Sequence, residues 1–136
     1  MFTNVEHIGI AVKDIAFSNA IFASLFNQQP YKAEIVASES VMTSFFKIGN
    51  TKIELLQATS EHSAIAKFIE KKGEGMHHIA YEVDDIVAEM ARLNEAGFVL
   101  LSEAPKRGAD NKLVCFLHPK STGGVLIELC QEIKEA

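Results

Sequence analysis

Gly75-Met76-His77-His78-Ile79-Ala80-Tyr81-Glu82-Val83-Asp84-Asp85-Ile86 decides the fold, because it has a twin near the N-terminus, Val5-Glu6-His7-Ile8-Gly9-Ile10-Ala11-Val12-Lys13-Asp14-Ile15. A histidine, a small residue two positions on, a valine five on and an Asp-Ile pair seven on recur in the same order. His7 and His78, Val12 and Val83, and Ile15 and Ile86 all stand 71 residues apart. Self-similarity at a fixed offset marks a duplicated structural unit. A strand that runs into a helix, with a histidine in the same place both times, implies two half-modules that jointly hold something.

Working outward, residues 5–12 alternate so that His7, Gly9 and Ala11 share one face and Ile8, Ile10 and Val12 the other, the period of a half-buried strand. Asp14 is placed to cap a helix running to about Phe26. Its apolar side (Ile15, Phe22 and Phe26, flanked by Ile21 and Leu25) covers the Ile8/Ile10/Val12 face and leaves His7 on the opposite one. Pro30 closes the connection. Strands are expected at Tyr31–Ala37, Val41–Ile48 and Thr51–Gln57, the last two joined as a hairpin at Gly49-Asn50. Ser60 to Lys72 read as a short helix with Ile65, Phe68 and Ile69 on its apolar side, stopped at Gly73.

The second half repeats the plan. A strand over Met76–Val83 leads to a helix capped by Asp85, with Ile86, Met90 and Leu93 on one side and Gly97 as its stop. Strands are expected at Phe98–Leu101, Lys112–Leu117 and Gly124–Cys130, with loops at Pro105–Gly108 and His118–Gly123. The outcome is α+β, two tandem βαβββ modules in a single domain over 1–136: module one about 4–58, a connecting helix about 60–73 and module two about 76–131.

The last strand of each half carries a second correspondence, Lys52-Ile53-Glu54-Leu55-Leu56-Gln57 against Leu126-Ile127-Glu128-Leu129-Cys130-Gln131. In both, a glutamate interrupts an apolar strand and points away from the helix side. A charge there costs several kcal/mol unless it is paired or bound to a metal. A lone strand histidine or glutamate is usually just a satisfied or solvated residue. The symmetric placement of His7, Glu54, His78 and Glu128 is what makes them a four-ligand N₂O₂ set, suited to Zn, Co, Ni, Fe or Mn rather than Ca or Mg. His77 faces away from His78 and reads as structural. His62 and His118 lack the repeat and are assigned to no metal.

The bulk properties set bounds. With 136 residues, 48% of them hydrophobic, the chain fits one compact domain. A formal charge of −5 offers no broad positive field for a phosphate backbone, which argues against a dedicated nucleic-acid binder. Cys115 and Cys130 lie in apolar strand-like runs and read as small buried hydrophobes. Without a charged-then-apolar leader or an apolar run near the ~18 residues of a membrane span, a cytoplasmic, reducing location is expected.

These residues resemble the vicinal oxygen chelate superfamily and, within it, the methylmalonyl-CoA epimerase family. The resemblance covers essentially the whole chain. It is carried by His7-Ile8-Gly9-Ile10-Ala11-Val12, Gly49-Asn50-Thr51-Lys52-Ile53-Glu54-Leu55-Leu56, Ile65-Ala66-Lys67-Phe68-Ile69, Gly75-Met76-His77-His78-Ile79-Ala80 and His118-Pro119-Lys120-Ser121-Thr122-Gly123-Gly124-Val125-Leu126-Ile127-Glu128-Leu129. It implies a cupped mixed sheet with helices on its outer face. It also implies metal ligands at His7, Glu54, His78 and Glu128, with Co²⁺ ahead of Zn²⁺, Mn²⁺ or Ni²⁺. The implied reaction is epimerisation of methylmalonyl-CoA by 1,1-proton transfer through a metal-stabilised enolate, in a homodimer.

Inverting a carbon centre needs one proton-transfer group on each side of a flat enolate. The family pattern places one at Glu128 and the other in a turn before the third strand, here Val36-Ala37-Ser38-Glu39-Ser40-Val41. Gapless counting back from Gly49-Asn50-Thr51-Lys52 puts Ser38 at that place, whereas Glu39 serves if the turn is shifted by one residue. Lys106, Arg107 and Lys120 are candidates for the CoA phosphates. Three other readings share parts of the pattern. One is a glyoxalase I-type lyase acting on a glutathione hemithioacetal. Another is a non-enzymatic small-molecule binder. The third, a ring-cleaving dioxygenase, fits less well, because Glu54 would obstruct its open metal positions.

Overall fold

The computed structural model describes residues 1–134, which group into two compact units, His7–His77 and Met1–Glu6 with His78 onward. Strands β1 (Phe2–Ala11) and β5 (Gly75–Val83) each contribute to both. No helix of the described residues is long and apolar enough to cross a membrane.

In the His7–His77 unit, β1 leads to α1 (Ile15–Phe26), then β2 (Lys32–Val36), β3 (Val41–Ile48), β4 (Thr51–Ala58) and α2 (Ala64–Lys72). The strands lie in the order β2-β3-β4-β1, antiparallel except for β4 against β1. Asp14 caps α1 as its sequence position requires, its Oδ1 accepting from the Ala16 and Phe17 amides at 3.0 and 3.2 Å. Gly49, at φ 61°, makes the β3–β4 turn that a residue with a Cβ adopts only at a cost. Val12, Ile15, Ala23, Phe46 and Leu55 form the core under α1, and Phe22 and Phe26 close on Phe46 with ring centroids 6.5 and 5.4 Å away.

Two details of this unit depart from the sequence reading. The second helix begins at Ala64, because Ser63 is its cap and accepts from the Ala66 amide at 3.0 Å, while residues 60–63 form a turn. Its Ile65 packs on Ala11, Val41 and Leu56, so α2 covers the end of the face that carries His7 and Glu54. In α1, Ile21 and Leu25 do not flank the core contact but are 51% and 68% exposed.

The other unit repeats the plan with β5, α3 (Ile86–Glu95), β6 (Lys106–Arg107), β7 (Lys112–Leu117) and β8 (Ile127–Glu132). The order is β5-β8-β7-β6, with β5 parallel to β8. Asp85 caps α3 through the Ala88 amide at 3.1 Å, and Ile86, Met90 and Leu93 pack on Val83, Cys115, Leu117 and Leu129. Cys115 and Cys130 are both buried and unlinked, as their apolar surroundings suggested.

The expected strand Phe98–Leu101 does not form as such. Leu100 makes one bridge to Leu117, and pairing with β7 resumes only at Lys106–Arg107, inside the stretch read as a loop. Pro105 has no amide to donate, and the Ser102 hydroxyl bonds the Ala104 carbonyl at 2.9 Å, so residues 102–105 leave the sheet edge and split one strand in two. Gly123 and Gly124 take positive φ, which delays β8 to Ile127.

At the start of β1 the Met1 ammonium contacts Asp84 at 2.8 Å and also Glu89, whose other oxygen accepts from Arg92 Nε at 2.7 Å. Hydrogen bonds to Asp84 and Glu89 raise the ammonium pKa above its ordinary value. The ammonium in turn lowers the Asp84 carboxyl, and lowers Glu89 with help from Arg92.

Candidate functional site

Each unit draws one histidine and one glutamate to the same side of its sheet, from its first and its last strand. In β1 and β4 the parallel register sets His7 opposite Lys52 and Gly9 opposite Glu54. His7 Nδ1 then lies 3.1 Å from Glu54 Oε2. In β5 and β8 the register sets Ala80 opposite Glu128, and His78 Nε2 lies 3.1 Å from Glu128 Oε1. The separation is the same in both units. All four side chains are buried.

The local sequence produces this placement. Period-2 alternation puts Ile53 and Leu55, and likewise Ile127 and Leu129, into the helix-side cores, which forces Glu54 and Glu128 onto the opposite face. A phenylalanine stands directly across from each glutamate on the neighbouring antiparallel strand, Phe45 beside Glu54 and Phe116 beside Glu128. Phe45 is fully buried, and the Phe116 ring meets the His78 ring edge-on at 5.6 Å. These rings keep water from the pairs, which strengthens each charge interaction and makes an uncompensated carboxylate more costly.

A buried imidazole next to a buried carboxylate, present twice, is a donor chemistry that fits a divalent transition ion. Nitrogen and carboxylate oxygen are borderline-to-hard donors, and ion binding would compensate carboxylates that the fold has taken out of water.

Two residues that brace the strands carrying the glutamates were not singled out from the sequence. Gln57 Oε1 accepts from the Ile15 amide at 2.7 Å, and Gln131 Oε1 accepts from the Ile86 amide at the same 2.7 Å. Each glutamine sits three residues beyond its glutamate on the helix side of the strand, and ties that strand to an otherwise unsatisfied first-turn amide. The signal was present in the aligned segments, which both end in Gln.

The remaining candidates are placed as follows. Ser38 and Glu39 both lie in a one-turn 3₁₀ helix, Ala37–Glu39, and both are exposed. His77 packs edge-on against Phe68 at 5.0 Å, a structural contact. His62 is exposed, and His118 caps the 3₁₀ turn Pro119–Ser121 through the Lys120 amide at 3.1 Å. Lys106, Arg107 and Lys120 are exposed.

Comparison with known proteins agrees with this layout. The family model described as the glyoxalase/bleomycin resistance protein/dioxygenase superfamily matches residues 6–116. An ethylmalonyl-CoA/methylmalonyl-CoA epimerase from Cereibacter sphaeroides is 43% identical over 133 residues, spanning 96% of this chain and 99% of the relative. The mitochondrial methylmalonyl-CoA epimerase of Homo sapiens is 42% identical over 128 residues, 93% of this chain and 73% of the relative. Among solved structures, a variant of the Streptomyces coelicolor methylmalonyl-CoA epimerase in complex with 2-nitronate-propionyl-CoA superposes with a TM-score of 0.94 at 32% identity, covering 98% of this chain and 100% of that one. The chain therefore belongs to the glyoxalase/bleomycin resistance protein/dioxygenase superfamily and, within it, to the family of the methylmalonyl-CoA epimerases.

Proposed function

We propose that this protein interconverts the two epimers of methylmalonyl-CoA by 1,1-proton transfer, with its 136 residues working as one domain. The observation that carries the reading is the duplicated buried pair, His7 with Glu54 and His78 with Glu128, in a chain 43% identical to an epimerase of that substrate. His7, Glu54, His78 and Glu128 together would hold one divalent ion, Co²⁺ in preference to Zn²⁺, Mn²⁺ or Ni²⁺. When bound, it supplies Lewis-acid stabilisation of the negative charge that develops on the substrate's thioester and carboxylate oxygens.

The protein's own groups do the rest. A carboxylate oxygen of Glu128 takes the proton from the carbon between thioester and carboxylate on one face. Glu39 returns a proton on the other face; its place next to Ser40, at φ 52°, is compatible with the one-residue shift of the turn. Phe45 and Phe116 exclude water, so the enolate is reprotonated by the protein rather than by solvent. Lys106, Arg107 and Lys120 meet the CoA phosphates. The working form is a cytoplasmic homodimer.

The deciding experiment follows deuterium entry from solvent into methylmalonyl-CoA, with Co²⁺, Zn²⁺, Mn²⁺ and Ni²⁺ each supplied in turn. Exchange at the α-carbon together with appearance of the second epimer is expected. Absence of exchange with all four ions, or preferential turnover of a glutathione hemithioacetal, overturns the proposal.

A further inference from the structure

Thr43 is fully buried, and its Oγ1 has no hydrogen-bond partner among the described residues. Its neighbour Ser44, buried on the opposite face of β3, donates to Asn19 Oδ1 at 2.6 Å. A hydroxyl buried without a partner lowers stability, because its bond to water is lost and not replaced. The duplicate unit shows that packing does not require this one. Phe45 and Phe116 stand 71 residues apart, and each faces its own unit's glutamate, Glu54 or Glu128. Two residues before them lie Thr43 and Val114, opposite Leu56 and Cys130. Valine has the branched shape of threonine with a methyl in place of the hydroxyl, and Val114 is buried as well. One unit builds this place from carbon alone, whereas the other sets a hydroxyl there.

The hydroxyl stands beside the His7–Glu54 pair. Residues paired across a sheet share a face, so Thr43 projects from the same face as Phe45, Glu54 and Leu56. Thr43 is the diagonal neighbour of Glu54, a relation that sets two residues roughly 7–8 Å apart. That span admits one small group between the hydroxyl and Glu54. The adjoining side chains do not serve Oγ1. Val41 and Leu56 are apolar and buried, and Glu34, across from Thr43 on β2, lies 3.2 Å from Lys32 Nζ. What the hydroxyl can take is an acceptor brought in by a ligand. A carboxylate oxygen suits it best, since an O–H···O⁻ bond is about twice as strong as a neutral one and gains further in dry surroundings. An ion held by His7 and Glu54 would offset the repulsion between that carboxylate and Glu54.

We propose that Thr43 determines specificity: its hydroxyl donates a hydrogen bond to the free carboxylate of an acyl thioester bound at the His7–Glu54 pair. It thereby separates a malonyl-type thioester from one that lacks the carboxylate. The inference rests on the reading of the protein as acting on methylmalonyl-CoA. A site with a buried donor rejects a ligand without the matching acceptor, because the donor is then left unpaired. The group that lowers the stability of the fold is the group that selects the ligand.

The test is titration calorimetry of the full chain, with Co²⁺ supplied, against methylmalonyl-CoA and against propionyl-CoA, which has no free carboxylate. Wild type, Thr43→Val and Thr43→Ser are compared, and the Tm of each is read alongside. The wild type should bind methylmalonyl-CoA at least about a hundredfold more tightly than propionyl-CoA. Thr43→Val should lose at least about tenfold in affinity for methylmalonyl-CoA, bind propionyl-CoA as the wild type does, and melt no lower. Thr43→Ser keeps the hydroxyl and should hold methylmalonyl-CoA within about threefold of the wild type. A wild type that binds the two thioesters alike overturns the methylmalonyl-CoA reading itself. A wild type that discriminates, with Thr43→Val discriminating equally well, overturns the role of Thr43 alone. An equal loss for both thioesters in Thr43→Val, or a loss that Thr43→Ser shares, marks packing rather than recognition and overturns it too. A Thr43→Val that melts below the wild type or fails to fold overturns the premise that the hydroxyl has no partner in the fold.

Discussion

Replacing His7 and Glu54 one at a time and together separates a pair kept for stability from a pair kept for ligand binding. Both are buried, Glu54 with 3% and His7 with 5% of its surface exposed, and they are 3.1 Å apart. Removing one partner takes the closest counter-group from a buried charge, at a cost of about 3–5 kcal/mol. For 136 residues the unfolding entropy is about 0.29 kcal/mol/K, so His7→Leu or Glu54→Leu should lower Tm by about 10–17 °C. Replacing both removes the two charges together, and apolar substitutes for a buried pair are neutral or stabilising by about 1–4 kcal/mol. The double variant should therefore melt at or above the wild-type temperature. Added Co²⁺ at 1,000 times its Kd should raise wild-type Tm by about 14 °C, from roughly 4.1 kcal/mol of linkage, and should leave the double variant unmoved. Scanning calorimetry of the four proteins, with and without ion, reads the whole cycle. A double variant less stable than either single one would show that the pair holds the fold. A full ion-induced shift in the double variant would remove His7 and Glu54 from the ligand set.

Three further outcomes follow from the same structure. Glu39→Gln should slow epimerisation by at least about a hundredfold while solvent exchange into one epimer persists, and Ser38→Ala should leave both intact; the reverse result in a stereospecific exchange assay would hand the role to Ser38. Glu89 is held below the ordinary glutamate pKa by the Met1 ammonium and then by Arg92, so its contribution is complete above that ordinary value and fades as pH falls through the lower folded one. Glu89→Gln should therefore depress Tm at pH 7, with the deficit closing on acidification, and a deficit that widens in acid would refute the assignment. Thr43 Oγ1 is buried without a hydrogen-bond partner among the described residues, so Thr43→Val should raise Tm by about 3–10 °C, and a drop in denaturant midpoint would reveal an unseen partner.

How much was legible in the chain depended on whether a residue's role was local. The repeat of His7 and His78, each ahead of a capping aspartate, located both first strands and both long helices, because period-2 alternation and an Asp cap act within a few residues. The glutamates were found the same way, since a charge in an apolar strand must face away from its neighbours. The broken edge strand was not found. Val99, Leu100 and Leu101 have strand chemistry, but whether they pair is decided by Pro105 and the Ser102 contact several residues later. In α1 the pattern failed for a different reason: apolar residues lie on several sides of the helix, so the angular signal is weak, and Ile21 and Leu25, read as flanking the apolar side, are exposed. Counting residues could not choose between Ser38 and Glu39, because a single 3₁₀ turn exposes both.

The buried histidine and glutamate of each unit come from its first and last strands, and this has a kinetic consequence. His7 and Glu54, like His78 and Glu128, are brought together only after roughly fifty residues of intervening chain have closed, a loop whose entropy is spent late in folding. Any ion that needs both members of a pair finds no binding-competent partner in a half-formed unit. It should therefore lengthen the lifetime of the native state while leaving the folding rate almost unchanged. The same ion that serves chemistry would act as a latch, setting how slowly the protein unfolds rather than how quickly it assembles.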